Sequence, residues 1–205
     1  MTTLSKLRAL HGRLEACRRC PKMIRPVVHG AAVDSKVFLL GQAPGIREGP
    51  AGKPFAWTAG KTLFSWFHQA VGVDEAVIRE RVYFAAVARC FPGKAKTGGG
   101  DRKPDEGEVL ACRPWLEAEV QLLKPKLVLP VGALAITQVL GHEGPLAEVI
   151  GTTHETTWHG VKVEVIPLPH PSGASTWHRV QPGKALLAKA LGLLSRHQVL
   201  RAAVR

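Results

Sequence analysis

The sequence has no apolar run that approaches the roughly 18 residues needed to cross a membrane. Its N-terminal stretch, MTTLSKLRALHGRLEACRRC, is charged and periodic and lacks the continuous apolar core of a secretory signal. Internal repeats are missing, as is any linker that would separate two domains. We therefore expect a cytoplasmic protein with no membrane partner, a monomer that folds as one domain over residues 1–205.

Acidic residues are scarce. Asp and Glu number 16 against 28 Lys and Arg, which gives a net charge of +12 and a pI of about 10.0. An excess of positive charge favours a polyanionic partner, because neutralising phosphates releases their counterions. Nucleic acid is the leading candidate, and a general solubility charge is the alternative, since net charge bears on association and not on fold.

The two common glycine motifs for nucleotide binding are also missing. The stretch GQAPG (residues 41–45) follows the apolar run 37–40 but has no Gly-Lys-Ser/Thr ending, and no G-x-G-x-x-G follows the run. Its glycines instead allow backbone N–H and C=O groups to point at a small polar ligand, while Pro44 stiffens the turn. Phe55, further along, can lie flat under a planar ring, or it can cap the sheet as a core residue.

Cysteines are few, and their spacing is uneven. Cys17 and Cys20 form a C-x2-C pair, whereas Cys90 and Cys112 stand alone far downstream. A cytoplasmic protein has little use for disulfides, and four thiolates suit a tetrahedral zinc ion or a [4Fe–4S] cluster. Single, separated cysteines are less typical of zinc, but the spacing leaves both metals open. Two buried structural cysteines and a chance pair are a further alternative.

Apolar segments of strand length alternate with amphipathic segments of helix length. The predicted strands are 36–41, 81–87, 126–131 and 161–168, and the predicted helices are 3–16, 59–71, 106–123, 132–140 and 182–200. This alternation predicts an α/β fold, a three-layer α/β/α sandwich with a central, mainly parallel, four-stranded sheet. Ligands of such sheets bind beyond the carboxyl ends of the strands. Two loops are expected there, GQAPG after the first strand and residues 169–184 after the fourth.

The second loop, PHPSGASTWHRVQPGK, holds a histidine between two prolines. The prolines restrict the backbone of His170 and so fix the direction of its side chain. An imidazole at a strand end can donate a hydrogen bond to a developing anion, although a lone histidine is more often structural. The small residues that follow suit a close approach to a DNA backbone, and Thr176, Trp177 or Arg179 could probe the duplex.

Four features taken together resemble the uracil-DNA glycosylase superfamily, and in particular its iron–sulfur branch. They are GQAPG, the GKPF within GPAGKPFAWTAG, the cysteine order C-x2-C…C…C and the late His-Pro-Ser. The likeness runs from Cys17 to about Leu194. It implies a monofunctional glycosylase that flips uracil out of single- or double-stranded DNA and hydrolyses the N-glycosidic bond, which starts base excision repair.

The resemblance also implies roles for particular residues. The two catalytic residues would be His170, donating to uracil O2, and Gln42, acting chiefly through its backbone, while Phe55 would stack on the uracil. The implied base pocket consists of Gly41, Ala43, Pro44, Gly45, Phe55 and Ala86. The implied DNA-entering loop consists of Ser172, Gly173, Ala174, Ser175, Thr176, Trp177 and Arg179. A [4Fe–4S] cluster, moved ahead of zinc by the resemblance, would be ligated by Cys17, Cys20, Cys90 and Cys112.

The sequence departs from the superfamily in three places. Ala43 stands where some relatives have an aspartate, which leaves Gln42 and the more distant Glu48 and no clear general base. Ala86 replaces an asparagine that reads the uracil edge, as in the branch of broader specificity. The enlarged loop between Cys90 and Cys112 carries four cations that could contact DNA phosphates or simply be solvated, and these are Lys94, Lys96, Arg102 and Lys103. Two alternatives follow: a glycosylase for other deaminated bases such as hypoxanthine, and a non-catalytic protein that binds damaged or abasic DNA.

Overall fold

The computed structural model describes residues 1–97, 100–173 and 175–205. A central sheet contains five strands, which are β1 (Val37–Gly41), β2 (Tyr83–Ala86), β3 (Leu127–Pro130), β4 (His154–Trp158) and β5 (Val161–Val165). Their spatial order is β2-β1-β3-β5-β4. All neighbouring pairs are parallel except β4 and β5, which form an antiparallel hairpin. The predicted mainly parallel α/β sheet is therefore confirmed.

The predicted number of four strands is wrong, because the edge strand β4 was missed. Its sequence, HETTW, has no apolar run, and its side chains alternate between half-buried and exposed until the buried Trp158. Trp158 anchors the strand by packing edge-on against Phe38, with 5.3 Å between ring centres. His159 and Gly160 make the turn into β5 with φ values of +46° and +77°, as tight hairpins require.

Eight α-helices lie in the described ranges: α1 (Thr3–Glu15), α2 (Glu48–Ala51), α3 (Thr58–Val71), α4 (Glu75–Arg81), α5 (Glu106–Leu123), α6 (Ala133–Leu140), α7 (Gly183–Arg196) and α8 (Gln198–Ala203). The five predicted helices are present, but the last one is divided at His197, whose extended backbone separates α7 from α8. None of the helices within these ranges is long and apolar enough to span a bilayer.

The sheet is covered on both faces, because alternate residues of each strand point to opposite sides. Val37 and Leu39 pack in one apolar core with residues of α3 and α7. Phe38 and Leu40 pack in a second core with residues of α1 and α5. The three-layer α/β/α architecture is thus confirmed, with β1 buried along its whole length.

The carboxyl ends of the parallel strands share one edge of the sheet. Beyond this edge Val131 and Leu168 extend the pairing of β3 and β5 by one bridge. The chain then leaves the sheet in loops that carry GQAPG, the basic segment 93–105 and the His170 segment. The fold therefore brings together segments that are far apart in the sequence.

Candidate functional site

A cavity of about 530 Å³ opens at the carboxyl edge of the sheet. Both predicted loops line it, so Phe55 and His170 face the same space despite their separation in sequence. The other predicted pocket residues that line it are Gly41, Gln42, Ala43, Pro44, Gly45 and Ala86. The structure thus brings together all the residues implied for base binding, while their chemical roles stay predictions.

The GQAPG loop is held in place by the segment that follows β2. The carbonyl of Gly41 accepts a hydrogen bond from the N–H of Val87, and that of Gln42 accepts one from Ala88, each at 3.0 Å. These bonds continue the parallel pairing beyond the strands and fix the floor of the cavity. The half-buried Gln42 side chain is left beside the open space.

Phe55 has a backbone conformation that is unusual for a bulky residue, with φ at +53°. Such a conformation costs on the order of 1–3 kcal/mol and persists only where the surroundings enforce it. A Cβ atom at Gly41 would lie 3.1 Å from Cζ of Phe55, and one at Gly60 would lie 1.8 Å from its carbonyl oxygen. Both glycines are therefore needed to seat this ring at the cavity.

Arg79 of α4 holds the Phe55 turn from outside the cavity. Its two terminal nitrogens donate hydrogen bonds to the carbonyls of Pro54 and Phe55, each at 3.0 Å. Its Nε donates to Glu75 at 2.7 Å, and its guanidinium carbon lies 4.6 Å from the centre of the Phe64 ring. A single cation thus fixes the backbone that carries the predicted stacking ring.

His170 is positioned to donate a hydrogen bond from Nε2. The N–H of Ser172 donates to its Nδ1 at 3.2 Å, so in the neutral ring the proton resides on Nε2. Burial, together with the nearby His178, lowers the pKa of His170, and Asp101 partly opposes them. The ring is therefore a neutral donor at physiological pH, and its place depends on Gly132, where a Cβ would lie 3.1 Å from Cδ2 of His170.

Glu48 supplies a carboxylate to the same cavity. Burial raises its pKa to about 7, although backbone N–H groups of Gly45, Phe55 and Ala56 and the charge of Arg79 oppose the rise. The N–H of Gly45 lies 3.4 Å from Oε2 of Glu48. The sequence marks Glu48 only as a polar residue distant from GQAPG, because its burial depends on how the chain folds around α2.

Asp101 is a second carboxylate at the cavity, and sequence analysis missed it. A Cβ at Gly45 would lie 3.4 Å from its Oδ2, so the basic loop reaches the GQAPG turn. Lys94 holds Asp101 through an ion pair of 2.7 Å. The only hint in the sequence is that Asp101 is one of two acidic residues in the basic, glycine-rich segment 93–105.

The basic loop is partly neutralised by its own acidic neighbours. Lys94 is paired with Asp101, and Arg102 makes a two-bonded ion pair with Glu108 at 2.6 and 2.7 Å. Lys96 and Lys103 are exposed. Phosphate contact by these four cations stays a prediction, for which Lys96 and Lys103 are the better placed.

The predicted DNA-entering loop divides into cavity-facing and exposed residues. Ser172 and Ser175 line the cavity. Gly173, Thr176 and Arg179 are exposed, whereas Ala174 lies outside the described residues. Trp177 packs against the core, and Gly183 sits so close that a Cβ there would lie 2.7 Å from the ring. A role in DNA binding stays a prediction for the whole loop.

The four cysteines line a separate cavity of about 230 Å³. Cys17 and Cys20 follow α1, Cys90 follows β2 and Cys112 lies in α5. The N-terminal segment is drawn to the Cys90 segment by paired hydrogen bonds between Ile24 and Phe91, at 2.7 and 2.9 Å. All four thiols are free and share one site.

Burial and proximity to one another affect the four thiols. Burial and the neighbouring thiols of Cys112, Cys17 and Cys90 raise the pKa of Cys20 to about 11. Among the described residues, no three His, Cys, Asp or Glu side chains converge closely enough to hold one metal ion.

Arg89 adds a buried cation to this cavity. It is 1% exposed and donates two hydrogen bonds to the fully buried Glu119, at 3.0 and 2.5 Å. Its Nε has no hydrogen-bond partner among the described residues. Arg89 is among the residues that line the cysteine cavity, so its positive charge lies near the four thiols.

Comparison with known proteins agrees with this geometry. Residues 27–194 match the family described as the uracil DNA glycosylase superfamily. The chain is 27% identical over 178 residues to a Type-4 uracil-DNA glycosylase of Saccharolobus solfataricus, covering 83% of this chain and 78% of the relative. It is 30% identical over 173 residues to a Type-4 enzyme of Pyrobaculum aerophilum, covering 81% and 83%. It is also 31% identical over 145 residues to a Type-5 uracil-DNA glycosylase of Thermus thermophilus, covering 65% and 62%. The family match spans every strand and both cavity loops, and the chain belongs to the uracil-DNA glycosylase superfamily.

Proposed function

We propose that this protein is a monofunctional uracil-DNA glycosylase that flips deoxyuridine out of DNA and hydrolyses its N-glycosidic bond, starting base excision repair. The observation that carries the proposal is that Phe55 and His170 line one cavity with the GQAPG backbone. Membership of the superfamily and the names of the Type-4 relatives support the same activity.

His170 stabilises the departing base. The glycosidic bond breaks through an oxocarbenium-like state, and negative charge accumulates on the uracil as it leaves. The neutral Nε2–H group donates a hydrogen bond to uracil O2 and so stabilises this negative charge. The hydrogen bond from the N–H of Ser172 to Nδ1 keeps the ring proton on Nε2. One preorganised donor of this kind typically contributes about 10² to 10³ in rate.

Phe55 and the GQAPG backbone hold the flipped base. The ring, fixed by Arg79 from behind, provides a flat apolar surface on which uracil stacks. The loop glycines bring backbone polar groups close to the edge of the base without side chains in between. Gln42 acts in this scheme through its backbone, whose carbonyl is already engaged with Ala88.

Glu48 is the candidate that activates water. Its pKa of about 7 lies near the working pH, where a general base is most effective. The carboxylate accepts a proton from a water molecule as that water attacks the anomeric carbon of the sugar. Asp101, paired with Lys94, lies at the same cavity and would contribute negative charge that favours the cationic sugar.

A second candidate substrate is another deaminated base, such as hypoxanthine. Ala86 lines the cavity where a side chain that reads the edge of the base would stand, and its methyl group offers no hydrogen bond. Discrimination between bases then depends on backbone groups.

We also propose that Cys17, Cys20, Cys90 and Cys112 hold a [4Fe–4S] cluster. Four cysteines line one cavity of about 230 Å³, which provides the four thiolate ligands that such a cluster takes, and the resemblance to the iron–sulfur branch favours a cluster over zinc. The positive charge of Arg89, which lines the same cavity, offsets part of the negative charge of the thiolates. When bound, the cluster would cross-link the N-terminal segment to α5 and to the segment after β2.

The test is excision of uracil from single- and double-stranded oligonucleotides, scored as alkali-labile sites. The purified, cluster-loaded protein should release uracil, and His170→Ala should lower the rate by about 10² to 10³. A parallel panel with hypoxanthine shows how strictly the cavity selects its base. The proposal fails if the folded, loaded protein cleaves neither strand form at any salt concentration.

A further inference from the structure

An exposed tryptophan lies, in the sequence, between residues that line the base cavity. Trp57 is 56% exposed, whereas Trp66 and Trp158 are 7% and 4% exposed. It lies two residues from Phe55 and two from Ala59, both of which line the cavity. Large aromatic rings are normally buried, so an exposed one beside a ligand cavity indicates a surface that is covered in a complex.

Neighbouring residues extend this surface and hold the ring. The guanidinium carbon of Arg47 lies 5.4 Å from the centre of the Trp57 ring, and Ile46 beside it is 53% exposed. Ile46 and Arg47 stand between Gly45 and Glu48, which line the cavity. The carbonyl of Trp57 accepts the N–H of Lys61 at 3.1 Å, so the start of α3 fixes the backbone beneath the ring.

The chemistry of this surface fits a nucleic-acid base. Every base presents a flat π-face, and aromatic stacking is therefore tolerant of sequence. Arg47 over the ring adds a cation, and the exposed Lys53 and Lys61 lie within four residues of Trp57. An apolar protein partner would gain nothing from these cations, whereas a phosphate backbone that brings a base to Trp57 would.

We propose that Trp57, together with Ile46 and Arg47, stacks on an unpaired base next to the nucleotide that is flipped into the cavity. The inference rests on the proposed function in one respect, namely that the DNA strand crosses this cavity. In a duplex the neighbouring base is already stacked and paired, so Trp57 adds little. In a single strand the base is free to stack on Trp57, and this surface therefore favours single-stranded substrates.

Binding to abasic oligonucleotides tests the inference without any excision. Fluorescence anisotropy is measured with one tetrahydrofuran abasic site in a single strand and in the matching duplex. Trp57→Ala should weaken single-strand binding by about 5- to 100-fold, the range for loss of one stacked base. Duplex binding should change by about twofold or less, as for an ordinary surface substitution. Trp57→Phe should retain most of the affinity, and Leu110→Ala, at a residue 54% exposed on α5, is the matched control.

A second abasic site, moved along the single strand, identifies the partner base. At the position that stacks on Trp57, removing the base weakens wild-type binding and abolishes the effect of Trp57→Ala. The inference is overturned if Trp57→Ala has no effect, if its effect is the same at every position, or if duplex binding falls equally. A protein that excises uracil but gives one of these results refutes this inference alone. A protein that binds through Trp57 but excises nothing refutes the proposed function alone.

Discussion

At Gly132 the backbone has a φ of +88°, and an added Cβ would lie 3.1 to 3.5 Å from three atoms of the His170 side chain. The glycine therefore serves two purposes, a backbone conformation open almost only to glycine before α6 and space for the imidazole. Neither purpose is visible in the sequence, where Gly132 is one of 21 glycines. At the scale of single residues, the site is shaped as much by missing side chains as by present ones.

Gly132→Ala should reduce excision by about 10² or more, because a displaced His170 no longer meets the leaving base. Gly141→Ala is the matched control, since Gly141 also has a positive φ, +69°, but a Cβ there meets nothing within 4 Å. Gly141→Ala should lower the free energy of unfolding by about 1–2 kcal/mol through αL backbone strain, and Gly132→Ala by about 3 kcal/mol, because its φ of +88° and ψ of 163° lie in a region open almost only to glycine. Single-turnover rates and thermal unfolding separate the two effects, and equal rate losses in both variants would contradict the role given to Gly132.

The raised pKa of Glu48 predicts that the excision rate depends on pH. Burial raises its pKa to about 7, so the carboxylate that accepts a proton is present mainly above that pH. The excision rate should therefore rise between about pH 6 and pH 8 and then level off. Glu48→Gln should lower the rate by about 10² and remove this rise. If the rise persists in the variant, Glu48 is not the group that accepts the proton.

At the scale of elements, α4 controls the base cavity from outside it. The helix was not predicted from the sequence, and it carries Arg79, which binds the carbonyls of Pro54 and Phe55. The strained turn at Phe55 is thus held by a helix that follows it by some twenty residues. An element that never faces the ligand determines where the stacking ring stands.

Arg79→Ala should raise KM for uracil-containing DNA by about tenfold and lower the free energy of unfolding by about 2 kcal/mol. Two buried carbonyls lose their donors, and the Phe55 turn relaxes. Glu75→Gln is the control, because it removes the ion pair to Nε but leaves both carbonyl bonds, and should cost about 0.5 kcal/mol or less. Steady-state kinetics and denaturant unfolding are the measurements. An unchanged KM in Arg79→Ala would show that Arg79 does not position the Phe55 ring for binding.

At the scale of the whole molecule, two cavities lie on either side of the segment that follows β2. The N–H groups of its first residues, Val87 and Ala88, donate hydrogen bonds to the GQAPG loop. The next two residues, Arg89 and Cys90, line the cysteine cavity. A cluster in the second cavity would thus stiffen the backbone that supports the first. Coupling of this kind is structural, through hydrogen bonds of one short segment.

Cys112→Ser should remove visible absorbance and bound iron and lower the free energy of unfolding by about 4 kcal/mol, the range for loss of a metal site. Val109→Thr, on the same helix, introduces a hydroxyl without removing a thiol and should keep the iron. Limited proteolysis should cut the segment after α1 in Cys112→Ser but not in the control. Wild-type protein that is colourless, carries zinc and is fully active would contradict the cluster.

Local patterns in the sequence are sufficient to predict the three layers of the fold and to predict that both loops belong to the ligand site. Continuous apolar runs such as 37–40 predict buried parallel strands, because a strand covered on both faces must be apolar along its length. The edge strand β4 could not be predicted in this way, because it has no apolar run and only Trp158 is buried. Helix α4 could not be predicted either, because seven residues are too few to show a helical pattern of apolar positions.

The detailed geometry of the site could be seen only in the folded chain. The strand-end rule predicts which edge holds the ligand, and it brings Phe55 and His170 to one cavity. The raised pKa of Glu48, the approach of Asp101, the clamp by Arg79 and the exposure of Trp57 all depend on contacts between distant segments. Burial and distance are properties of packing in three dimensions, and no local pattern of residue types encodes them.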